Sequence, residues 1–465
     1  MSTLIILPTT LFKLTKKEVN NVDQVVLIEH PYYFTRLNFH KQKLVLHRAS
    51  MKSYKSYIKS RFKNKVNKVK VDYIECKDYK TSLLKNYPNK IIFDPVDIPI
   101  KKEFKDHNTV LKDKRAFLFS KNDLESFHKL KENHKQIIHK DFYNWSLSKL
   151  PKLQQYVDKS YDEENRKVYK DDKQIFEIKH NTSKNVKDAL AYVQKNFPKN
   201  YGNVNTFTYP TTHKEATKWF HNFLNYRLIH YGDYQDSINE EDPFLFHSVL
   251  SSSLNIGLLD IEYVIDNTLK YYTNHKSEIK INNFEGFIRQ IIGWREYMKY
   301  VYEYHYDDLI TSNYLNNRMK LDESWYDGTT KLLPVNNVIK QTLEYGYMNH
   351  IQRLMIVLNA MTLYEIAPED IYTWFTEMSI DSYDWVMVSN VYAMGFANDK
   401  FMSRPYISSS NYVTKMMGYT SKQKADPINK TWIKEWNNLY RKFICKKTKQ
   451  NVKKVAFYAN SAKCK

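Results

Sequence analysis

The spacing of apolar residues changes character partway along the chain, and that change limits the folds open to it. Up to about residue 130, short β-branched runs alternate with helical stretches, the pattern of a parallel sheet with crossover helices. Strands are predicted at residues 4–7, 25–28, 44–47, 69–74, 91–93 and 117–119, with helical spacing over 49–62. From Thr206 onward, long helical patterns run almost to the end, broken at Asp242-Pro243, Asp327-Gly328 and Ala367-Pro368. Thr212-His213-Lys214-Glu215 reads as a capping box opening the first of them. The stretch between is polar, lysine-rich and weakly periodic, with one helix predicted over 185–197. The expected organisation is therefore an α/β, Rossmann-like domain (1–130), a long connector (131–205), an all-α domain (206–445) and a mobile basic tail (446–465).

Composition narrows the function classes. The 465 residues, 42% hydrophobic and 15% aromatic, describe a globular chain with room for two or three domains. The apolar runs fall short of the roughly 18 residues that a membrane span requires. The N-terminus lacks the basic leader and cleavage site of a secretory signal. Cys76, Cys445 and Cys464 are the only cysteines, so a disulfide framework is not expected, the setting reads as reducing and intracellular, and a four-cysteine metal site is excluded. The net charge of +21 favours a polyanion, nucleic acid first. Twelve arginines against sixty lysines, abundant Asn, Ile and Tyr, and nine glycines are the usage of an AT-rich genome, such as that of a large DNA virus, so charge alone does not decide. Leu7-Pro8-Thr9-Thr10 follows the first predicted strand in place of a glycine-rich loop, which argues against a dinucleotide site there.

Four segments of the helical half are unlike ordinary solvated helices. His247–Gly257 carries Ser248, Ser251, Ser252, Ser253 and Asn255, donors able to hold a phosphate; capping and small-residue packing explain them equally well. Glu285 through Met298 places Trp294 beside Arg295 on an otherwise apolar helix. Asn349-His350-Ile351-Gln352-Arg353 puts His350 and Arg353 on one turn at the mouth of a core helix. Ser379 through Gly395 interleaves acids and amides with aromatics, like a wall around a planar ligand, though Asx turns between helices would serve as well.

Together and in this order, these segments resemble the flavin-binding domain of the cryptochrome/photolyase family, closest to its bacterial photolyase-related branch, which includes (6-4) photolyases. Trp294-Arg295-Glu296-Tyr297 is the most specific match. His350-Ile351-Gln352-Arg353-Leu354-Met355 and Tyr383-Asp384-Trp385-Val386 support it, and Asp162-Glu163-Glu164-Asn165-Arg166, Arg404-Pro405-Tyr406 and Asn411-Tyr412 match more weakly. The resemblance spans nearly the whole chain and makes the first domain an antenna-type domain. It implies FAD as cofactor, with Ser248, Leu250 and Ser251 at the pyrophosphate, Gln290, Arg295 and Asn390 lining the pocket, and Arg353 and Asp381 paired beside the isoalloxazine. It implies light-driven electron transfer from reduced flavin to a flipped-out pyrimidine lesion in UV-damaged DNA, by a monomer inside the cell. Trp294 would stack on the lesion, Tyr406 and Tyr412 would line its pocket, and His350 would donate the proton that a (6-4) photoproduct, unlike a cyclobutane dimer, requires.

The departures from the family carry expectations of their own. With three cysteines, Pro334 at one ligand position and Tyr419-Thr420-Ser421-Lys422 where a cysteine pair would stand, no iron–sulfur cluster is expected. Trp374 is kept, Phe375 replaces a tyrosine and Tyr326 a tryptophan, so electrons would travel from Trp374 to Tyr326 or Trp325. Met387 takes the place of a polar residue facing the flavin N5. The branch's Gly-Asp-Gln motif is missing while Glu29 remains, which leaves a lumazine-type antenna chromophore open. Repair of (6-4) photoproducts is the leading expectation. Cyclobutane-dimer repair and a cryptochrome-like blue-light receptor without repair activity are the alternatives.

Overall fold

Apolar runs with no polar alternation must be covered on both faces. Thr3–Ile6 (β1) and Gln24–Ile28 (β2) are such runs, and every residue in them is buried. With Lys70–Ile74 (β3), Lys90–Phe93 (β4) and Val110–Lys112 (β5) they form a parallel sheet of order β3-β2-β1-β4-β5. The computed structural model describes residues 2–63, 69–112, 115–157, 159–161, 164, 167–170, 173, 177–396, 398–402 and 404–464. Of the connector motif at 162–166, only Glu164 is among them. Beyond the sheet the chain is helical, and no helix among the described residues is long and apolar enough to cross a membrane.

Two predicted strands are not strands. Residues 44–47 lie inside the helix Lys41–Arg61, begun by His40, whose ring accepts the Gln42 amide at 3.1 Å. Leu44, Val45 and Leu46 are all fully buried, and four buried residues read alike in a strand or an enclosed helix. Residues 117–119 are drawn out of any sheet by the Glu296 carboxylate, which accepts the Leu118 and Phe119 amides at 3.0 and 3.5 Å. The short β5 gave too little pattern to predict. The helix Lys121–Lys131 leads into the connector, which holds helices at His139–Ser148 and Pro151–Gln154 besides Lys184–Asn196, the one predicted. At Thr212 only half of the capping box forms: its hydroxyl accepts the Glu215 amide, while the Glu215 carboxylate turns to the Thr211 amide.

The cysteine expectation is corrected at the C-terminus. Cys445, on the helix Pro427–Lys449, is disulfide-bonded to Cys464, nineteen positions on, and Cys76 is the buried free thiol. The tail expected to be mobile is folded back, with Val455 fully buried and Ala462 nearly so.

Where the strand order reverses, between β1 and β4, an open sheet offers a crevice. Here the crevice belongs to the seam with the helices. The Leu11 amide donates to the Ile256 carbonyl at 2.9 Å. Tyr33 donates its hydroxyl proton to Asp97 at 2.8 Å and accepts one from Thr9 at 3.2 Å, and His47 meets the Tyr383 hydroxyl at 2.8 Å. Lys43, with its ammonium hydrogen-bonded to the Thr376 and Ser382 carbonyls, is fully enclosed between Phe39 and Tyr383.

Burial, then the nearby Asp384 carboxylate, pushes Asp97 from 3.8 up to about 7. The folded chain therefore binds more protons than the unfolded chain across that window, and this group makes stability fall as pH rises through it. Replacing Asp97 with Asn keeps an acceptor for Tyr33 and removes the titration. Thermal melts at pH 5 and pH 8 should show a shallower loss for Asp97→Asn than for the parent chain, by on the order of 2 kcal/mol.

Candidate functional site

The segment before the helix Ser251–Leu254 is pinned by two buried donors. Arg227 gives a guanidinium N–H to the His247 carbonyl at 3.0 Å, and Trp219 gives its indole N–H to the Ser248 carbonyl at 2.9 Å. Val249, next along the chain, takes a φ of 53°, a left-handed conformation unusual for a β-branched residue. Gly257, at φ 84°, ends the segment where a Cβ would stand 2.7 Å from the Phe12 ring. Ser248, Leu250 and Ser251 are thereby turned toward a cavity of about 430 Å³ in the helical half.

Three other walls share an irregularity that the sequence does not announce. Arg289–Arg295, Gln352–Leu358 and Ser389–Gly395 are each π-helical beside the cavity: the first joins two α-helices, the second leads into the helix Asn359–Leu363 and the third ends the helix begun at Asp384. The wider turn inserts one extra residue and splays its neighbours outward, which is why such bulges recur at functional sites. They bring Gln290, Trp294 and Arg295, then Arg353, then Asn390 and Met394, onto one surface with His350, Asp381, Tyr406 and Tyr412.

Met387 is a correction. It is fully buried and does not line the cavity, whereas Val386, Asn390 and Met394 do. Spaced four apart, these three hold one helix face, and Met387 is rotated about 100° away from it. The electron-path residues lie off the cavity as well. Trp374 is fully buried with its indole N–H on the Trp325 carbonyl at 2.7 Å, and Trp325 meets Tyr364 edge-on at 5.6 Å. Tyr326 stacks instead on Tyr201, with centroids 4.7 Å apart.

The polar heart of the cavity is a chain of bonds. Arg353 donates to Asp381 Oδ1 at 2.8 Å, and Ser251 donates to Asp381 Oδ2 at 2.7 Å. Asn255 donates to the Asp381 carbonyl at 2.9 Å and accepts from the Arg295 guanidinium. Burial alone would raise the pKa of Asp381; the Arg353 charge and the Ser251 hydroxyl outweigh it and hold the carboxyl below its ordinary value. Arg295 has no carboxylate within ion-pair distance among the described residues. It lies between the Phe117 and Trp385 rings at 4.6 and 4.9 Å, and burial lowers its pKa to about 10. The Nε atoms of both Arg295 and Arg353 are buried without a hydrogen-bond partner. Unpaired buried guanidinium donors on a cavity wall fit an anionic occupant.

Asn255, read from the sequence as a phosphate donor, instead bridges the Asp381 carbonyl and Arg295. Two members of the site had no individual signal in the sequence. Asp236 meets His350 Nε2 at 3.0 Å from a loop more than a hundred residues away. His139, at the start of the helix His139–Ser148, lies parallel to Trp294 with centroids 3.8 Å apart and planes 9° apart. Burial, with Arg289 nearby, lowers its pKa to about 3, so the ring is a neutral plate behind the tryptophan. It rests on Gly293, where a Cβ would come within 2.8 Å of the His139 Nε2 and 3.2 Å of the Tyr143 ring. Gly293→Ala should therefore push the imidazole off Trp294. The expected result is a loss of about 1–3 kcal/mol in stability with a changed tryptophan emission spectrum, read by denaturant titration followed by fluorescence.

The chain is similar to several known proteins. Residues 4–209 match the family described as deoxyribodipyrimidine photo-lyase-related protein. A (6-4) photolyase of Agrobacterium fabrum is 34% identical over 314 residues, covering 65% of this chain and 61% of the relative, so the chain spans under two thirds of that protein's length. An uncharacterized protein of Acanthamoeba polyphaga mimivirus is 39% identical over 113 residues, 24% of this chain and 85% of its own. Among solved structures, a bacterial class III photolyase from Agrobacterium tumefaciens has a TM-score of 0.58 at 14% identity, covering 94% of this chain and 86% of that one. A Synechocystis cryptochrome has a TM-score of 0.59 at 13% identity, covering 94% and 88%. The sheet of five parallel strands and the helical half give the chain the fold of these photolyase and cryptochrome structures, and residues 4–209 resemble the photolyase-related family.

Proposed function

We propose that this chain binds FAD in the 430 Å³ cavity and uses light to reverse UV photoproducts in DNA, with the (6-4) photoproduct as substrate. The observation that carries the proposal is the pairing of His350 with Asp236 on the same wall as Arg353, Asp381 and Arg295. When bound, reduced FAD supplies the electron that excitation makes available to the lesion.

The remaining chemistry belongs to the side chains. Ser248 and Arg295 meet the anionic part of the cofactor beside Ser251, whose hydroxyl proton goes to Asp381, and the free Nε donors of Arg295 and Arg353 fit negative charge. Gln290 and Asn390 line the pocket, and Asp381 fixes Arg353 in place. Trp294, backed by His139, offers its open face to a flipped base, as an aromatic platform does for an unstacked nucleotide. Tyr406 and Tyr412 close the lesion side. Asp236 engages Nε2 of His350, which orients the imidazole and leaves Nδ1 to pass a proton to the lesion. The excess of lysine and arginine holds the DNA backbone. Trp374 and Trp325, with Tyr364 beyond, form the electron route to the surface, in preference to Tyr326.

An antenna chromophore is not part of the proposal, because Glu29 does not fit as its holder. The Glu29 carboxylate accepts from Arg48 at 2.7 and 2.8 Å, from the Tyr73 hydroxyl at 2.6 Å and from the Cys76 amide at 3.2 Å, so its oxygens are committed within the domain.

The test is a repair assay with chemically reduced flavin, lit and dark, on matched oligonucleotides carrying a (6-4) photoproduct or a cyclobutane dimer. Light-dependent reversal of the (6-4) product is expected. Reversal of the dimer alone would reassign the lesion, and reversal of neither with flavin bound would make the chain a photoreceptor. His350→Ala should lower (6-4) reversal by on the order of 100-fold or more with flavin content unchanged. Asp236→Asn should lower it by on the order of 10-fold, since it removes the orienting charge and leaves the acid.

A further inference from the structure

A second cavity, of about 550 Å³, opens where the helix Lys41–Arg61 of the sheet layer meets the helix His213–Tyr226. It shares no lining residue with the first: Leu258 is on its wall, whereas Ser251, Leu254 and Asn255 face the other. One side is a fixed aromatic surface. Tyr57 lies 5.2 Å from Tyr54 and 5.0 Å from His213, centroid to centroid. Each ring is anchored to backbone: Tyr54 donates to the Phe12 carbonyl at 2.6 Å, Tyr57 accepts the Leu14 amide at 2.9 Å, and His213 donates to the Leu11 carbonyl at 2.7 Å. Burial, opposed by that last bond, lowers the pKa of His213 to about 4, so it contributes a neutral ring.

The other side is cationic. Lys13, Lys214 and Lys218 line the cavity with the hydroxyls of Ser53 and Thr217, and no carboxylate stands on the wall. None of the three ammonium groups has an ion-pair partner among the described residues, although this chain pairs many of its other lysines with acids. Three like charges around one concavity repel each other, and an anion removes that cost.

We infer that this cavity binds a phosphorylated planar compound of the nucleotide class, its phosphate between Lys13, Lys214 and Lys218 and its ring against Tyr57. The inference goes beyond the repair reaction and does not depend on it. The helix carrying Lys214 and Lys218 also carries Trp219, which holds the Ser248 carbonyl on the wall of the first cavity, so an occupant here bears on the same segment.

The chemistry suits a free nucleotide or a terminal nucleotide of a DNA strand, and one calorimetric experiment separates them. The full chain, loaded with one equivalent of FAD for the first cavity and freed of unbound FAD by gel filtration, is titrated with AMP and, separately, with a 5′-phosphorylated thymidine tetranucleotide. Saturable binding of at least one probe is expected, weakened tenfold or more in the double variant Lys214→Glu/Lys218→Glu and several-fold in Lys13→Glu. Tighter binding of AMP names the free nucleotide as ligand, and tighter binding of the tetranucleotide names the DNA strand. These side chains are exposed, and matching thermal melts confirm that the variants fold. Absence of saturable binding by both probes, or binding that neither variant weakens, overturns the inference.

Discussion

The half-buried pair between Arg353 and Asp381 is the interaction on which the helical half depends. Two charges leave water to make it, and their attraction offsets that loss only because the remaining valences are met. Ser251 and Asn255 meet those of Asp381, one through the carboxylate and one through the backbone carbonyl. Three segments distant in sequence, around residues 251, 353 and 381, are thus held to one geometry by a single carboxylate. Lys43 reaches the same place from the sheet layer, hydrogen-bonded to the carbonyl of Ser382 next to Asp381. The two layers and the cavity are therefore parts of one electrostatic arrangement.

That arrangement is unbalanced toward positive charge. Asp381 is shared with Arg353, Asp236 is taken by His350, and Arg289 is paired with Glu285. Arg295 and Lys43 are left with ring faces and carbonyls in place of carboxylates. A protein gains little in stability from such groups, and at Arg295, on the cavity wall, the occupant proposed above would bring the missing negative charge. A diphosphate joined to a ring that becomes anionic on reduction is such an occupant. The π-helical stretches serve the same end, since ordinary helices would not turn Arg295, Arg353 and Asn390 inward together.

The parts legible in the sequence were those set by local pattern. Residues 4–7 and 25–28 read as strands because both faces are covered, and residues 44–47 misled because a short buried stretch of helix looks the same. Residues 117–119 misled for a different reason: the carboxylate of Glu296, far along the chain, claims their amides. In the site, Trp294, Arg295, His350 and Arg353 were visible because polar or aromatic groups interrupt apolar helices. His139 and Asp236 were not, since each acquires its part only from a neighbour brought near by the fold, and Asn255 was read as a phosphate donor while its bond to the Asp381 carbonyl was not foreseen. Met387 was placed on the cavity by correspondence with relatives and is turned off it by helical phase. The disulfide between Cys445 and Cys464 was invisible to a rule that counts cysteines without their positions.

The most direct measurement of the central claim is the flavin content of the purified chain after incubation with FAD, read from its absorbance, alongside Asp381→Asn. One flavin per parent chain is expected, with at least tenfold weaker retention in the variant and an unchanged circular dichroism spectrum. A parent chain that takes up no flavin, or a variant that retains it as well as the parent, would contradict the claim.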